Sequence, residues 1–282
     1  MKVNIIYNSQ TGNTRKVALA MEEAFRGAGH TAKAFPLKKA SAGDASGCDL
    51  LGIGAPCYAS QAAKPIRDFI ATLPRLDGVK AFVFATSGGA PGRTLYDMAG
   101  RLRKKGAEVV GGFLARGELF YTAPCLVGRF AGHPDENDLA KAREFAVSLG
   151  ESVSAGRAGP LPGSRPDAVK PGWGFYDLVG LAITDGLMRL TMPKPRLDEA
   201  LFDGCGRCAA ACPTGNIVLD GGFPVLGKDC IRCHACLHEY PNDALAVSWR
   251  LGNPVLFTLY NTKFEAWFGD LEPGEEIYPT AK

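Results

Sequence analysis

The chain has 282 residues, of which 46% are hydrophobic and 22% charged, and its formal net charge is +3. That length leaves room for one full-sized domain and a smaller one, and the composition is that of a globular protein. A charge this slight gives no electrostatic case for nucleic acid or for an acidic membrane surface.

No secretory leader is expected, because the first strand-like run, Val3–Tyr7, starts almost at Met1. The longest uncharged stretch, Leu50–Ala63, is fourteen residues long and is broken by two glycines and a proline. It is too short to span a bilayer. Nine cysteines, six of them within 32 residues, read as metal ligands in a reducing compartment rather than as disulfides. A cytoplasmic location is expected.

A first domain is expected over residues 1–155, where short apolar runs alternate with amphipathic patterns. This is the signature of an α/β fold with a parallel sheet covered on both faces. Strands are expected at Val3–Tyr7, Thr31–Phe35, Asp49–Gly54, Val79–Thr86 and Glu108–Leu114. Helices are expected at Asn13–Gly27, Lys64–Leu73, Arg93–Lys105 and Glu136–Ser154, the last opened by the acidic first turn of "HPDENDLAKAREF".

After the first strand comes "YNSQTGNTRKVA", a loop that opens a helix. Ser9, Gln10, Thr11, Gly12, Asn13 and Thr14 offer hydroxyls, amides and a flexible backbone at a helix N-terminus, where an anion is stabilised. The loop carries no lysine of the G-x-x-x-x-G-K kind, so a nucleoside triphosphate site is not expected. A phosphate held by neutral donors suits it.

A Gly/Pro-dense stretch, "GRAGPLPGSRPDAVKP", then marks a linker over 156–196, with a helix expected at Trp173–Leu190. Asp177, Asp185 and Arg189 argue against that helix lying in lipid. A cysteine-rich domain over 197–248 follows, and then an extension, 249–282, carrying Phe257, Tyr260, Phe264, Trp267 and Phe268. Aromatics at helical spacing read first as a packing face and second as a partner-docking surface.

Within "CIRCHACLHEYP", Cys230, Cys233 and Cys236 have iron–sulfur spacing, but Tyr240 stands where a fourth cysteine would precede Pro241. The segment repeats itself at an offset of 28 residues: Cys205 matches Cys233, Cys208 matches Cys236, and Pro213 matches Pro241. Phe202 then matches Cys230, and Cys212 matches Tyr240. In paired runs of this kind the fourth cysteine of each run serves the other run's cluster. Cys212, Cys230, Cys233 and Cys236 therefore make one complete set of thiolates, and Phe202 and Tyr240 both delete ligands from the other site. Zinc is the rival for any four-cysteine set, but this spacing favours one [4Fe–4S] cluster.

Residues 198–248 resemble a bacterial two-cluster ferredoxin module with one site degenerate. For Cys205 and Cys208 the expectation is a pair of buried free thiols beside Phe202, with a reversible disulfide or a defective cluster as alternatives. His234 and His238 are expected to be exposed loop residues.

Residues 1 to about 150 resemble flavodoxin, on the strength of the Ser9–Thr14 loop. The resemblance implies a sheet of order 2-1-3-4-5 with FMN at the switch point. It nominates Pro56, Cys57 and Tyr58 in "GIGAPCYAS" and Ser87, Gly88 and Gly89 in "ATSGGAPGR" as flavin contacts. Tyr121 could cover the outer ring face, although a half-buried loop aromatic is the plainer reading. Cys48, Cys57 and Cys125 are expected to pack rather than react.

The whole chain thus resembles a flavodoxin–ferredoxin fusion family. The implied function is an electron carrier relaying between FMN, one cluster and external redox partner proteins. The alternative is a reductase whose cluster feeds FMN for substrate reduction, but His30 and His133 read as isolated and supply no acid–base pair.

Overall fold

The first strand, β1 (Lys2–Tyr7), is buried from Val3 onward on both faces, as a central strand of a covered parallel sheet must be. The computed structural model describes residues 1–88, 91–120, 122–123, 128–156, 184–238 and 244–249. The chain divides into two compact units, Met1–Glu118 with Phe130–Leu181, and Leu119–Arg129 with Ala182–Lys282.

In the first unit β1 is followed by α1 (Asn13–Gly27), β2 (Thr31–Pro36), α2 (Ala42–Ser46), β3 (Leu50–Tyr58), β4 (Gln61–Ala62) and α3 (Lys64–Thr72). Then come β5 (Lys80–Ser87), α4 (Thr94–Lys104), β6 (Glu108–Arg116) and α5 (Glu136–Ser154). The sheet is six-stranded, in the order β2-β1-β3-β5-β6 with β4 paired to β3. It differs from the expected five-stranded 2-1-3-4-5 sheet by this added strand. β4 turns back antiparallel on an extension of β3, placing Cys57 opposite Ala62 and Tyr58 opposite Gln61.

Two apolar layers hold the sheet. On one face Val17, Ala18, Met21 and Phe25 of α1 and Phe145, Leu149 and Val153 of α5 pack on Val3, Ile5, Phe82, Phe84 and Phe113. On the other face Ile66, Ile70, Leu95, Met98 and Leu102 cover Ile6, Leu51, Ile53 and Val83. The alternation along β1 and β5 supplies both layers from the same strands. Gly52 and Gly54 of β3 stand opposite Phe82 and Phe84 of β5. An added Cβ at Gly54 would lie 2.1 Å from Cζ of Phe84, so the phenyl rings occupy the space those glycines leave.

The limits of α1 and α5 are those expected from sequence. α5 starts in a capping box, in which the Asp135 side chain accepts from the Asp138 N–H while Asp138 accepts from the Asp135 N–H. His133, expected to be isolated, is buried, with Nδ1 2.5 Å from Oδ2 of Asp138. The carboxylates it meets are those that cap α5.

Of the helix expected at Trp173–Leu190, residues 173–183 lie outside the described residues; the described helix is Asp185–Thr191, capped by Thr184. The aromatic extension beyond Trp249 also lies outside them, as do Gly89, Tyr121, Cys125 and Tyr240.

The second unit is built from two copies of one pattern. The first copy runs β7 (Arg196–Leu197), a loop, the helix Arg207–Ala211 and β8 (Ile217–Asp220). The second runs β9 (Phe223–Leu226), a loop, the helix Ala235–His238 and β10 (Leu245–Ala246). β8 pairs with β9 and β10 with β7, both antiparallel, so each two-stranded sheet takes one strand from each copy. The copies interlock, and a residue late in one copy comes beside the loop of the other.

Candidate functional site

The loops that end β1, β3 and β5 meet at one edge of the sheet, where strand order reverses between β1 and β3. Such switch points are where open α/β sheets take ligands. The loops are tied to one another. The Asn8 N–H donates to the Gly54 carbonyl at 2.9 Å, and the Arg93 N–H donates to the Ser60 carbonyl at 2.9 Å. The hydroxyls of Thr14 and Thr86 lie 2.8 Å apart, buried. Asn13 Nδ2 donates to the carbonyl of Glu118 at 2.9 Å.

Gly12 caps α1 at φ +97°, a backbone position that suits glycine. Among the described residues no side chain caps that helix end, and no acid sits in its first turn, so its leading N–H groups keep their positive field. Ser9 Oγ and Asn8 Nδ2 are buried and have no hydrogen-bond partner among the described residues. Buried polar atoms left unsatisfied are costly, and a helix N-terminus beside them suits an anion. Thr11 is exposed, whereas Thr14 is buried with its hydroxyl on Thr86. Asn8 and Thr86 were not among the expected site residues, although both end strands that feed the site.

Pro56, Cys57 and Tyr58 are half-buried along the β3 extension, and Ser87 and Gly88 are buried at the end of β5. Burial holds the Cys57 thiol above its usual range, and its Sγ lies 3.7 Å from the Pro91 carbonyl. Burial also pushes the Cys48 thiol up, to about 11. The turn joining β3 to β4 has both central residues left-handed, Ala59 at φ +48° and Ser60 at +64°, which neither side chain favours.

A family model described as a flavodoxin domain matches residues 4–131. An uncharacterized protein of Methanocaldococcus jannaschii is 30% identical over 153 residues, 53% of this chain and 98% of its own length. Through its N-terminal half, the chain belongs to the flavodoxin family. The flavodoxin of Megasphaera elsdenii is 29% identical over 112 residues, 39% of this chain and 82% of its own. Among solved structures, a flavodoxin from the domain Archaea matches at a TM-score of 0.43 and 17% identity, over 55% of this chain and 99% of that one. Among the described residues, no helix is long and apolar enough to cross a membrane.

The flavodoxin match ends at residue 131; the cysteines from Cys205 to Cys236 form a separate constellation. Cys208, Cys236 and the partly buried Cys212 share one small core with Ile217 and Leu245. Burial first, and then charge at Cys233, Cys230, Cys212 and Cys208, together raise the Cys236 thiol to about 12. Cys212 thus comes beside the run from which its sequence position separates it. Its Sγ accepts the Asn216 N–H at 3.2 Å.

The loop carrying Cys230 and Cys233 has Arg232 at φ +56° and His234 at +58°. The first copy has glycine at both equivalent positions, Gly204 at φ +74° and Gly206 at +68°. Backbone that alternates into the left-handed region forms N–H concavities that receive anions, iron–sulfur groups included.

Two expectations require correction here. Cys205 is exposed rather than buried with Cys208, because it precedes the helix cap in a turn where its N–H donates to Asp203 Oδ1 at 3.0 Å. Phe202 instead packs on Phe223, with ring centroids 5.4 Å apart and the rings tilted by 31°. His234 is not exposed but only 1% accessible, because both ring nitrogens are hydrogen-bonded within the unit. His238 is exposed, as expected.

Proposed function

We propose that the chain is an electron-transfer protein, with FMN in its flavodoxin domain and one [4Fe–4S] cluster in the cysteine-rich unit, exchanging electrons with external redox partner proteins. The unsatisfied Ser9 hydroxyl beside the uncapped N-terminus of α1 supports a phosphate there. Ser9, Gln10, Thr11, Gly12, Asn13 and Thr14 would hold that phosphate. Pro56, Cys57, Tyr58, Ser87, Gly88 and Gly89 would border the ring. The raised Cys57 thiol stays protonated and packs.

The observation that carries the cluster reading is the packing of Cys212 with Cys236 and Cys208 in one small core, where thiolate charge at Cys233, Cys230, Cys212 and Cys208 repels charge at Cys236. Mutual repulsion of that kind is relieved when a cation takes the protons' place. The interlocked copies supply the reason that Cys212 serves the other run, as the ferredoxin resemblance implies. When bound, flavin exchanges one or two electrons and a [4Fe–4S] cluster one at a time. The protein's own part is to hold both groups and keep water from them. His133, read as isolated, meets the Asp138 carboxylate of the α5 capping box.

Anaerobic purification with counts of iron, sulfide and flavin tests the reading. The expected result is about four iron atoms and about one FMN per chain. Zinc in place of iron, or no tight binding of added FMN, would overturn the corresponding half.

A further inference from the structure

We propose that His234 and Thr122 are positioning residues of the cluster site, and that the segment after β6, Leu119–Arg129, is part of that site. This rests on the iron–sulfur reading above. His234 lies between Cys233 and Cys236 and holds φ +58°, a conformation disfavoured for any residue with a Cβ. Such a residue persists only where its surroundings fix it.

The surroundings here are specific. His234 Nε2 lies 3.0 Å from the Pro193 carbonyl, which can only accept, so Nε2 carries the proton. In the neutral ring Nδ1 is then an acceptor, and it lies 2.7 Å from Thr122 Oγ1, whose O–H donates to it. The Thr122 oxygen in turn accepts from the Trp249 indole N–H at 3.0 Å. Every donor and acceptor in the chain Trp249–Thr122–His234–Pro193 therefore has one direction. The Trp249 ring stands edge-on to the imidazole, with centroids 5.6 Å apart, and packs with Ala123, Leu119 and Met192.

Thr122 belongs to Leu119–Arg129, which in sequence joins β6 to α5 but which clusters with the second unit. A segment that merely closed a surface loop would have no need of a half-buried hydroxyl aimed at an imidazole. By this chain of bonds the segment fixes the backbone between two ligands, as outer groups around metal sites do.

The test uses the full chain, anaerobically loaded with iron and sulfide. Thr122→Val keeps the side-chain volume but loses the donor. His234→Gly suits the left-handed backbone but loses the ring. Both should release iron to a chelator roughly 10-fold faster than wild type, and both should shift the cluster's midpoint potential and its electron paramagnetic resonance spectrum. Thr122→Ser, which retains the hydroxyl, should behave as wild type. If Thr122→Val does not fold, Trp249→Phe, which removes the indole N–H with part of the ring, carries the same comparison with a smaller effect on iron release, read beside its loss of stability. Loaded variants that match wild type in release, potential and spectrum overturn this inference alone. A wild-type chain that takes up no iron overturns the cluster reading and this inference with it.

Discussion

Gly206 and His234 hold the same left-handed backbone position in two loops 28 residues apart, at φ +68° and +58°. The first keeps the residue that this conformation favours, and the second replaces it with a side chain held by hydrogen bonds. The first copy therefore relies on glycine for its shape. Gly206→Ala should destabilise the second unit by about 1–2 kcal/mol, the cost of placing a Cβ in that region. The new Cβ would also lie 3.2 Å from Leu219 Cδ1. Thermal unfolding measures this, and an unchanged midpoint would show that the loop can rearrange.

The flavodoxin domain makes a different demand on glycine. Gly54 has no left-handed backbone, but its missing side chain is where the Phe84 ring lies. Gly54→Ala should cost about 1–3 kcal/mol by overpacking. Adding Phe84→Leu to the same chain should restore part of that loss, because the smaller side chain vacates the space. Urea unfolding of the two single variants and the double variant decides it. Additive losses would mean that the ring does not fill the glycine's place.

Much of this was legible in the sequence where periodicity carried it. The limits of α1 and α5 follow from the spacing of Val17, Met21 and Phe25 and from the acidic start at Asp135. The 28-residue register proved to be a register of backbone as well as of cysteines, since Gly204 and Arg232 also share a left-handed position. What was hidden depended on contacts remote in sequence or on unfavoured backbone. The β3–β4 hairpin turns through Ala59 and Ser60, which carry none of the Asn-Gly signal that such turns usually show. Burial of His234 depends on Pro193, 41 residues away, and on Thr122, 112 residues away. No local pattern announces either.

For the flavin site, the unsatisfied Ser9 hydroxyl gives a test that separates phosphate from ring. Ser9→Ala removes one donor to a charged acceptor, an interaction of about 1.5–3 kcal/mol. FMN affinity should therefore fall about 10- to 100-fold. Riboflavin, which lacks the phosphate, should bind the variant and the wild type alike. Fluorescence titration with both ligands measures the pair. Equal losses for FMN and riboflavin would place Ser9 at the ring or in the fold, and not at the phosphate.

The cluster assignment makes the strictest prediction, because it joins a residue to a site from which its sequence position separates it. Cys212 ends the helix Arg207–Ala211 in the first copy, whereas Cys230, Cys233 and Cys236 belong to the second. Interlocked strand pairing places Cys212 in one small core with Cys236. Cys212→Ser should thus lower iron content as severely as Cys233→Ser, since a hydroxyl is a harder and weaker ligand than a thiolate. Cys205→Ser should leave iron unchanged, because that cysteine is exposed and belongs to the degenerate site. Cys208 is fully buried, so Cys208→Ala, which introduces no polar atom into the core, is the proper control there. It should lose some stability but no iron. Iron that survives Cys212→Ser would break the cross-copy assignment, and iron lost with Cys205 would mean that the degenerate copy still holds metal.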